Sequence, residues 1–195
     1  MKRDAQARWS RRNGPRPHPA RAGLLLLFLL VLSGCAQDAG PGEAPGNASG
    51  RAGSGVVARV GDGDTIELEG DDRVRLVQID APELGEGECY AERALRELET
   101  LTPAGSHVEL EADPELDDVD RYGRLLRYVI ADGAKVNVEL VRRGAAAPYF
   151  HDGVRGRYAD DLLAAVDEAR AARRGMWGAC AVDWEPDRQV DTLDR

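Results

Sequence analysis

The stretch from Val56 to Ile79 constrains the fold more than any other part of this chain. Three short runs rich in β-type residues, Val56–Val60, Thr65–Leu68 and Val74–Ile79, follow one another, with only Gly61-Asp62-Gly63 and Glu69-Gly70-Asp71-Asp72 supplying turns between them. Runs of this length, bounded by Gly and Asp clusters, read as strands, and three in succession make a meander.

The periodicity then changes. Ala91, Ala94, Leu95, Leu98 and Leu101 fall at i, i+3, i+4, i+7 and i+10, one apolar face of a helix that Pro103 ends. His107–Glu111 and Leu125–Ala131 read as two further strands separated by an acidic loop. A short helix is expected at Asn137–Arg143, with Asn137 capping its start and Gly144 its end. A longer one is expected over about Tyr158–Arg174, with Tyr158, Leu162, Val166 and Ala169 inward and a stop at Gly175. The order of three strands, helix, two strands and two helices predicts an α+β, mainly β domain: a five-stranded OB-type barrel with three helices. Periodicity alone also allows another small α+β fold.

Ahead of the domain lies a leader. Residues 1–21 carry seven Lys and Arg against one acid, Asp4, and an uncharged run from Ala22 to Cys35 follows. Its Leu24–Leu32 core is shorter than the roughly 20 apolar residues a spanning helix needs, so the pattern is that of a cleaved export signal. Leu32-Ser33-Gly34-Cys35 resembles the bacterial lipobox, in which the cysteine is acylated and becomes the new N-terminus. The expected organisation is a lipoprotein signal peptide at 1–34, a lipid anchor on Cys35 with a Gly/Ala/Pro/Ser tether to 54, a domain at 55–180 and an acidic tail at 181–195. The protein is expected to be an exported, membrane-anchored monomer facing the periplasm or the cell exterior.

The full chain has a formal charge of −9, with 26 Lys+Arg against 35 Asp+Glu. Loss of the leader leaves 19 against 34, a charge near −15. Such a balance disfavours tight non-specific binding to nucleic acid, so chemistry on a polyanion has to be local. Once Cys35 is acylated, Cys89 and Cys180 remain, and an exported pair in an oxidising compartment reads as a disulfide; two independent buried thiols are the alternative. A zinc site lacks ligands, since no Cys-x-x-Cys is present and His18, His107 and His151 are scattered.

Two acidic clusters and two arginines carry the chemistry. Asp62-Gly63-Asp64-Thr65, then Arg75 through Ile79-Asp80-Ala81-Pro82-Glu83, then Asp120-Arg121-Tyr122-Gly123-Arg124 resemble the staphylococcal nuclease (thermonuclease) family in motif and in order. Val136–Gly144 and Gly175-Met176-Trp177 extend that resemblance, which covers roughly Val56 to Trp177. Each motif alone is a common turn or tripeptide; their shared order is what is specific.

The residues are chemically coherent with it. Carboxylates on separate strands, Asp64 and Asp80, can converge on one hard cation. The resemblance implies calcium, with the backbone carbonyl of Ala81 as a further ligand; the staphylococcal enzyme has threonine there, so a carbonyl ligand survives and the hydroxyl does not. Glu83, held by Pro82, can deprotonate or orient a water for in-line attack on phosphorus. Arg75 and Arg124 offer planar forks for phosphate oxygens, where charge accumulates in the transition state.

By the same resemblance, Arg121 and Tyr122 hold the terminal phosphate and flank the nucleotide, and Tyr149 stacks on a base, with Phe150 the other candidate. The implied function is calcium-dependent hydrolysis of DNA and RNA with little sequence preference, leaving 3′-phosphates. The competing readings are a non-catalytic OB-type module that binds nucleic acid or protein, and an exported scaffold domain.

Overall fold

In the computed structural model, the described residues are 53–195. The elements in chain order are β1 (Gly53–Asp62), β2 (Thr65–Leu68), β3 (Arg73–Leu76), β4 (Ile79–Asp80), α1 (Ala91–Leu101), β5 (His107–Glu111), β6 (Leu125–Ala131), β7 (Ala134–Lys135), α2 (Val136–Arg143), β8 (Ala147–Pro148), α3 (Ala159–Ala171), the single turn α4 (Met176–Ala179), β9 (Ala181–Asp183) and β10 (Asp191–Leu193). Cys35 and the rest of the expected leader and anchor lie outside the described residues. Among those described, no helix is long and apolar enough to cross a membrane.

Five strands close a barrel. The meander pairs β1 with β2 and β2 with β3, all antiparallel. The first residues of β1, Gly53–Val56, pair with β5, which pairs with β6. A parallel pairing of β3 with β6, Val74 opposite Leu125 through Leu76 opposite Arg127, closes the ring. Strand β1 can serve two neighbours because its register shifts twice, between Val57 and Arg59 and between Val60 and Asp62, and bulges of this kind bend a strand round a barrel corner. It also begins at Gly53, inside the stretch read from sequence as tether. The interior is filled by Val57, Ile66, Val74, Leu76, Val108 and Val129, with Leu98 of α1, Leu140 of α2 and Leu162 of α3 in the same buried cluster.

The structure revises three sequence expectations. The third strand stops at Leu76 because Gln78 takes a left-handed conformation, φ 63°. That turn sends Ile79 and Asp80 off to pair with Pro148 and Ala147 instead. Asn137 does not cap α2, which starts one residue earlier; it is buried, accepts from the Val129 N–H at 3.0 Å and donates to the Val77 carbonyl at 2.8 Å. Its amide therefore ties β6 and α2 to the turn that aims Asp80. The long helix ends at Ala171, three residues short of expectation, and the chain reaches Gly175 through a turn in which Arg173 has φ 51°.

The segment after Cys180 folds. β9 and β10 form an antiparallel hairpin, Trp184 donates to the Pro148 carbonyl at 2.8 Å, and the Phe150 N–H donates to the Pro186 carbonyl at 2.6 Å. Cys89 and Cys180 are joined by a disulfide. Thr192 brackets Cys89 by accepting from its N–H at 3.2 Å and donating its hydroxyl to its carbonyl at 2.7 Å.

Candidate active site

The turn between β1 and β2 delivers Asp64, and the left-handed turn after β3 delivers Asp80. Both are almost fully buried, at 3% and 1% exposure, and both meet one nitrogen: Arg75 Nη2 lies 2.7 Å from Asp64 Oδ2 and 2.9 Å from Asp80 Oδ1. Arg75 Nη1 donates to the carbonyls of Leu76 and Ile79 at 2.8 Å each, so the guanidinium also plugs the turn. Both terminal nitrogens are thereby occupied, by three hydrogen bonds and the ion pair to Asp64, and Nε, which makes no hydrogen bond among the described residues, is left for a phosphate.

Close packing holds the pair together. The Ala81 N–H donates to Asp64 Oδ2 at 3.1 Å. A Cβ on Gly63 would come within 2.6 Å of the Ala81 Cβ and 3.0 Å of the Ala94 Cβ, so only glycine lets the first turn sit against the second. Asp62, unassigned from sequence, accepts the Asp64 N–H at 3.1 Å and adds a further carboxylate.

One guanidinium here faces several acids, and the titration behaviour follows. Burial pushes the Asp64 carboxyl well above the usual carboxylate range; Arg75 opposes this, and Asp62 and Asp80 reinforce it. Asp80 is likewise raised by burial, against Arg75 and its hydrogen-bond donors. Glu83, half-buried, is raised by burial and then by repulsion from Asp62 and Asp80. Burial opposes the charge on Arg75, but the surrounding carboxylates prevail and hold it on.

This donor set fits a hard divalent cation. Two carboxylate oxygens already converge on a single cationic nitrogen, and the cluster is short of positive charge. Among the described residues no three His, Cys, Asp or Glu side chains converge on a metal position. The protein would therefore contribute two carboxylates and a carbonyl such as that of Ala81, with water completing the shell.

Arg124 sits on the neighbouring rim at the start of β6. Asp120 accepts from its Nε at 2.7 Å and from its backbone N–H at 2.9 Å, and Nη1 reaches Thr65 Oγ1 at 3.5 Å. Nη2 makes no hydrogen bond among the described residues. Burial works against the Asp120 charge, but the hydrogen bonds from Arg124 and the Tyr122 N–H outweigh it and hold the carboxyl below its usual range. Tyr122, 58% exposed, lies between Arg121 at 4.7 Å and Arg124 at 5.5 Å from its ring centre. Arg73 donates to the Tyr122 carbonyl at 3.0 Å, giving an acidic protein one local basic and aromatic rim.

Phe150, at 2% exposure, belongs to the core and cannot present its ring to a base. Tyr149 is only partly buried and close enough to Asp80 to feel its charge; burial, then Asp80, raise its phenol above the usual value. Sequence reasoning missed Asp62, Arg73 and Asp120. Asp62 and Asp120 carried a signal, a carboxylate two residues before Asp64 and one four residues before Arg124.

Comparison with known proteins gives the family. Residues 73–179 match the family described as staphylococcal nuclease homologue. The chain is 35% identical over 138 residues to Endonuclease YhcR of Bacillus subtilis (strain 168), covering 63% of this chain and 11% of that protein. It is 34% identical over 136 residues to Micrococcal nuclease of Shigella flexneri, covering 63% of this chain and 72% of that one. It is 31% identical over 128 residues to Thermonuclease of Staphylococcus intermedius, covering 63% and 74%. The barrel, the order of its motifs and these matches together make the chain a member of the staphylococcal nuclease homologue family.

Proposed function

We propose that the protein is a metal-dependent nuclease that hydrolyses phosphodiester bonds of DNA and RNA with little sequence preference, with calcium as its metal. The observation that carries this reading is the convergence of Asp64 and Asp80 on one cationic nitrogen, with Glu83 beside them and Arg124 on the rim. The relatives named nucleases and endonucleases support it.

Calcium, when bound, would neutralise a phosphate oxygen and supply the charge the acidic cluster lacks. Asp64, Asp80 and the Ala81 carbonyl would hold it. Glu83, whose proton affinity is raised by burial and by Asp62 and Asp80, takes a proton from the attacking water or orients it. Arg124, its Nε fixed by Asp120, turns its free Nη2 toward the phosphate and stabilises charge that grows in the transition state. Arg75 contributes through Nε while Nη1 stays on the turn carbonyls and Nη2 on the two carboxylates. Arg121 and Tyr122 hold the chain of the substrate, and Tyr149 stacks on a base. Cleavage leaves 3′-phosphates.

The leader supports an exported protein held to a membrane by lipid on Cys35; we take it to act as a monomer. Cleavage of a fluorescence-quenched single-stranded DNA and a matching RNA, each in calcium, in magnesium and in chelator, tests the activity. Calcium-dependent cleavage of both is expected; a folded protein that binds the strands and cleaves neither would make the barrel a binding module.

A further inference from the structure

The hairpin that closes the chain lies beyond the matched family region, which ends at Ala179, yet it reaches the metal-site acid directly. The Val190 N–H donates to Asp80 Oδ2 at 2.9 Å, and Gln189 Nε2 lies 3.5 Å from Asp80 Oδ1. Asp80 Oδ2 is thus held by the hairpin backbone, while Oδ1 is shared by Arg75 at 2.9 Å and the longer contact from Gln189. Val190 is itself 4% exposed and packs with Ala147, Met176 and Cys180, so the donor is fixed by core packing. Cys180 is bonded to Cys89, and Thr192 clasps the Cys89 backbone from the opposite strand of the hairpin. The donor is therefore anchored on both sides.

We infer that the C-terminal hairpin is a working part of the metal site, with Val190 as a positioning residue whose backbone N–H holds the Asp80 carboxylate so that Oδ1 faces the cation. A carboxylate on a short strand at a barrel rim can otherwise rotate about its last bond. A charge-assisted hydrogen bond to one oxygen removes that freedom and leaves the other as a single-oxygen ligand. The hairpin also keeps water off the outer face of Asp80, which strengthens each remaining electrostatic contact. The inference rests on the metal reading given above.

Calcium binding to the full oxidised chain without nucleic acid, followed by titration calorimetry, tests it. Val190→Pro removes the N–H, and Val190→Ala keeps it while trimming the side chain. Outer-shell hydrogen bonds of this kind change metal affinity by about 10- to 100-fold, and that loss is expected in Val190→Pro, with a clearly smaller loss in Val190→Ala. Near-ultraviolet circular dichroism from the Trp177 and Trp184 pair, whose rings sit 5.8 Å apart, reports whether the hairpin stays docked. If Val190→Pro undocks it, a chain ending at Asp187, which keeps the disulfide and lacks both donors, is expected to show the same weakening. Wild-type affinity in Val190→Pro or in the shortened chain, or equal losses in Val190→Pro and Val190→Ala, would overturn the inference while leaving the metal reading intact. Failure of the wild-type protein to bind calcium would remove the metal reading, and this inference with it.

Discussion

Arg75 and Asp64 form an ion pair of 2.7 Å at the base of the site, with both side chains nearly buried. The same guanidinium nitrogen holds Asp80, so a single arginine keeps two buried carboxylates apart from solvent and from each other's unscreened charge.

Removing that arginine leaves two buried acids without a partner. Arg75→Gln is expected to lower stability in chelator by about 3 to 5 kcal/mol, the usual effect of breaking a buried pair from one side. Calcium should then stabilise the variant more than the wild type, since the cation takes the position the guanidinium vacates. Thermal melts of both proteins, with and without calcium, check this.

The surroundings of Glu83 disfavour its charge. Its proton affinity is raised in the fold by burial and by Asp62 and Asp80, so the destabilisation is complete above the folded pKa. It disappears as pH falls below the ordinary glutamate value of about 4.3. Glu83→Gln should abolish hydrolysis yet melt higher than wild type at pH 7 in chelator. The gain should be on the order of a few tenths of a kcal/mol, because the group is half-exposed and screened, and it should vanish in acid.

Asp120 works in the opposite direction. Its folded pKa is depressed, so its contribution is fully present above the ordinary aspartate value of about 3.9 and is lost as pH falls through the lower folded value. Asp120→Ala should cost about 1 kcal/mol at pH 7 through lost charge-assisted hydrogen bonds, a difference that closes in acid. Denaturant melts at pH 7 and in strong acid measure it, and the loosened Arg124 should lower the hydrolysis rate as well.

The Cys89–Cys180 disulfide closes a loop of 91 residues in sequence separation. Chain-entropy arguments give such a bridge about 4.6 kcal/mol, so a Cys89→Ser, Cys180→Ser protein should unfold at correspondingly lower denaturant. Denaturant melts of the reduced wild type should approach those of the double variant.

The barrel was legible in the sequence because its strands are short runs of β-type residues and its turns carry Gly and Asp; α1 was legible because five apolar residues share one helical face. The acids and arginines were legible because each is a side chain with its own chemistry. What was not legible acts through the backbone or through context. Gln78 turns left-handed with none of the glycine that usually announces such a turn. Asn137 has the residue type and position of a cap, and only the fold, which brings the Val129 N–H and the Val77 carbonyl to its amide, makes it a crosslink instead. Val190 reaches Asp80 through an N–H that every residue but proline carries, so no reading of side chains could have found it.

Cleavage of a quenched single-stranded DNA in calcium by the wild type, Glu83→Gln and Arg124→Ala tests the central claim most directly, with strand binding measured alongside. The account predicts cleavage by the wild type that chelator abolishes, and a loss in both variants of at least about 100-fold in rate with binding retained. Wild-type cleavage that persists in chelator, or variants that cleave as fast as the wild type, would contradict it.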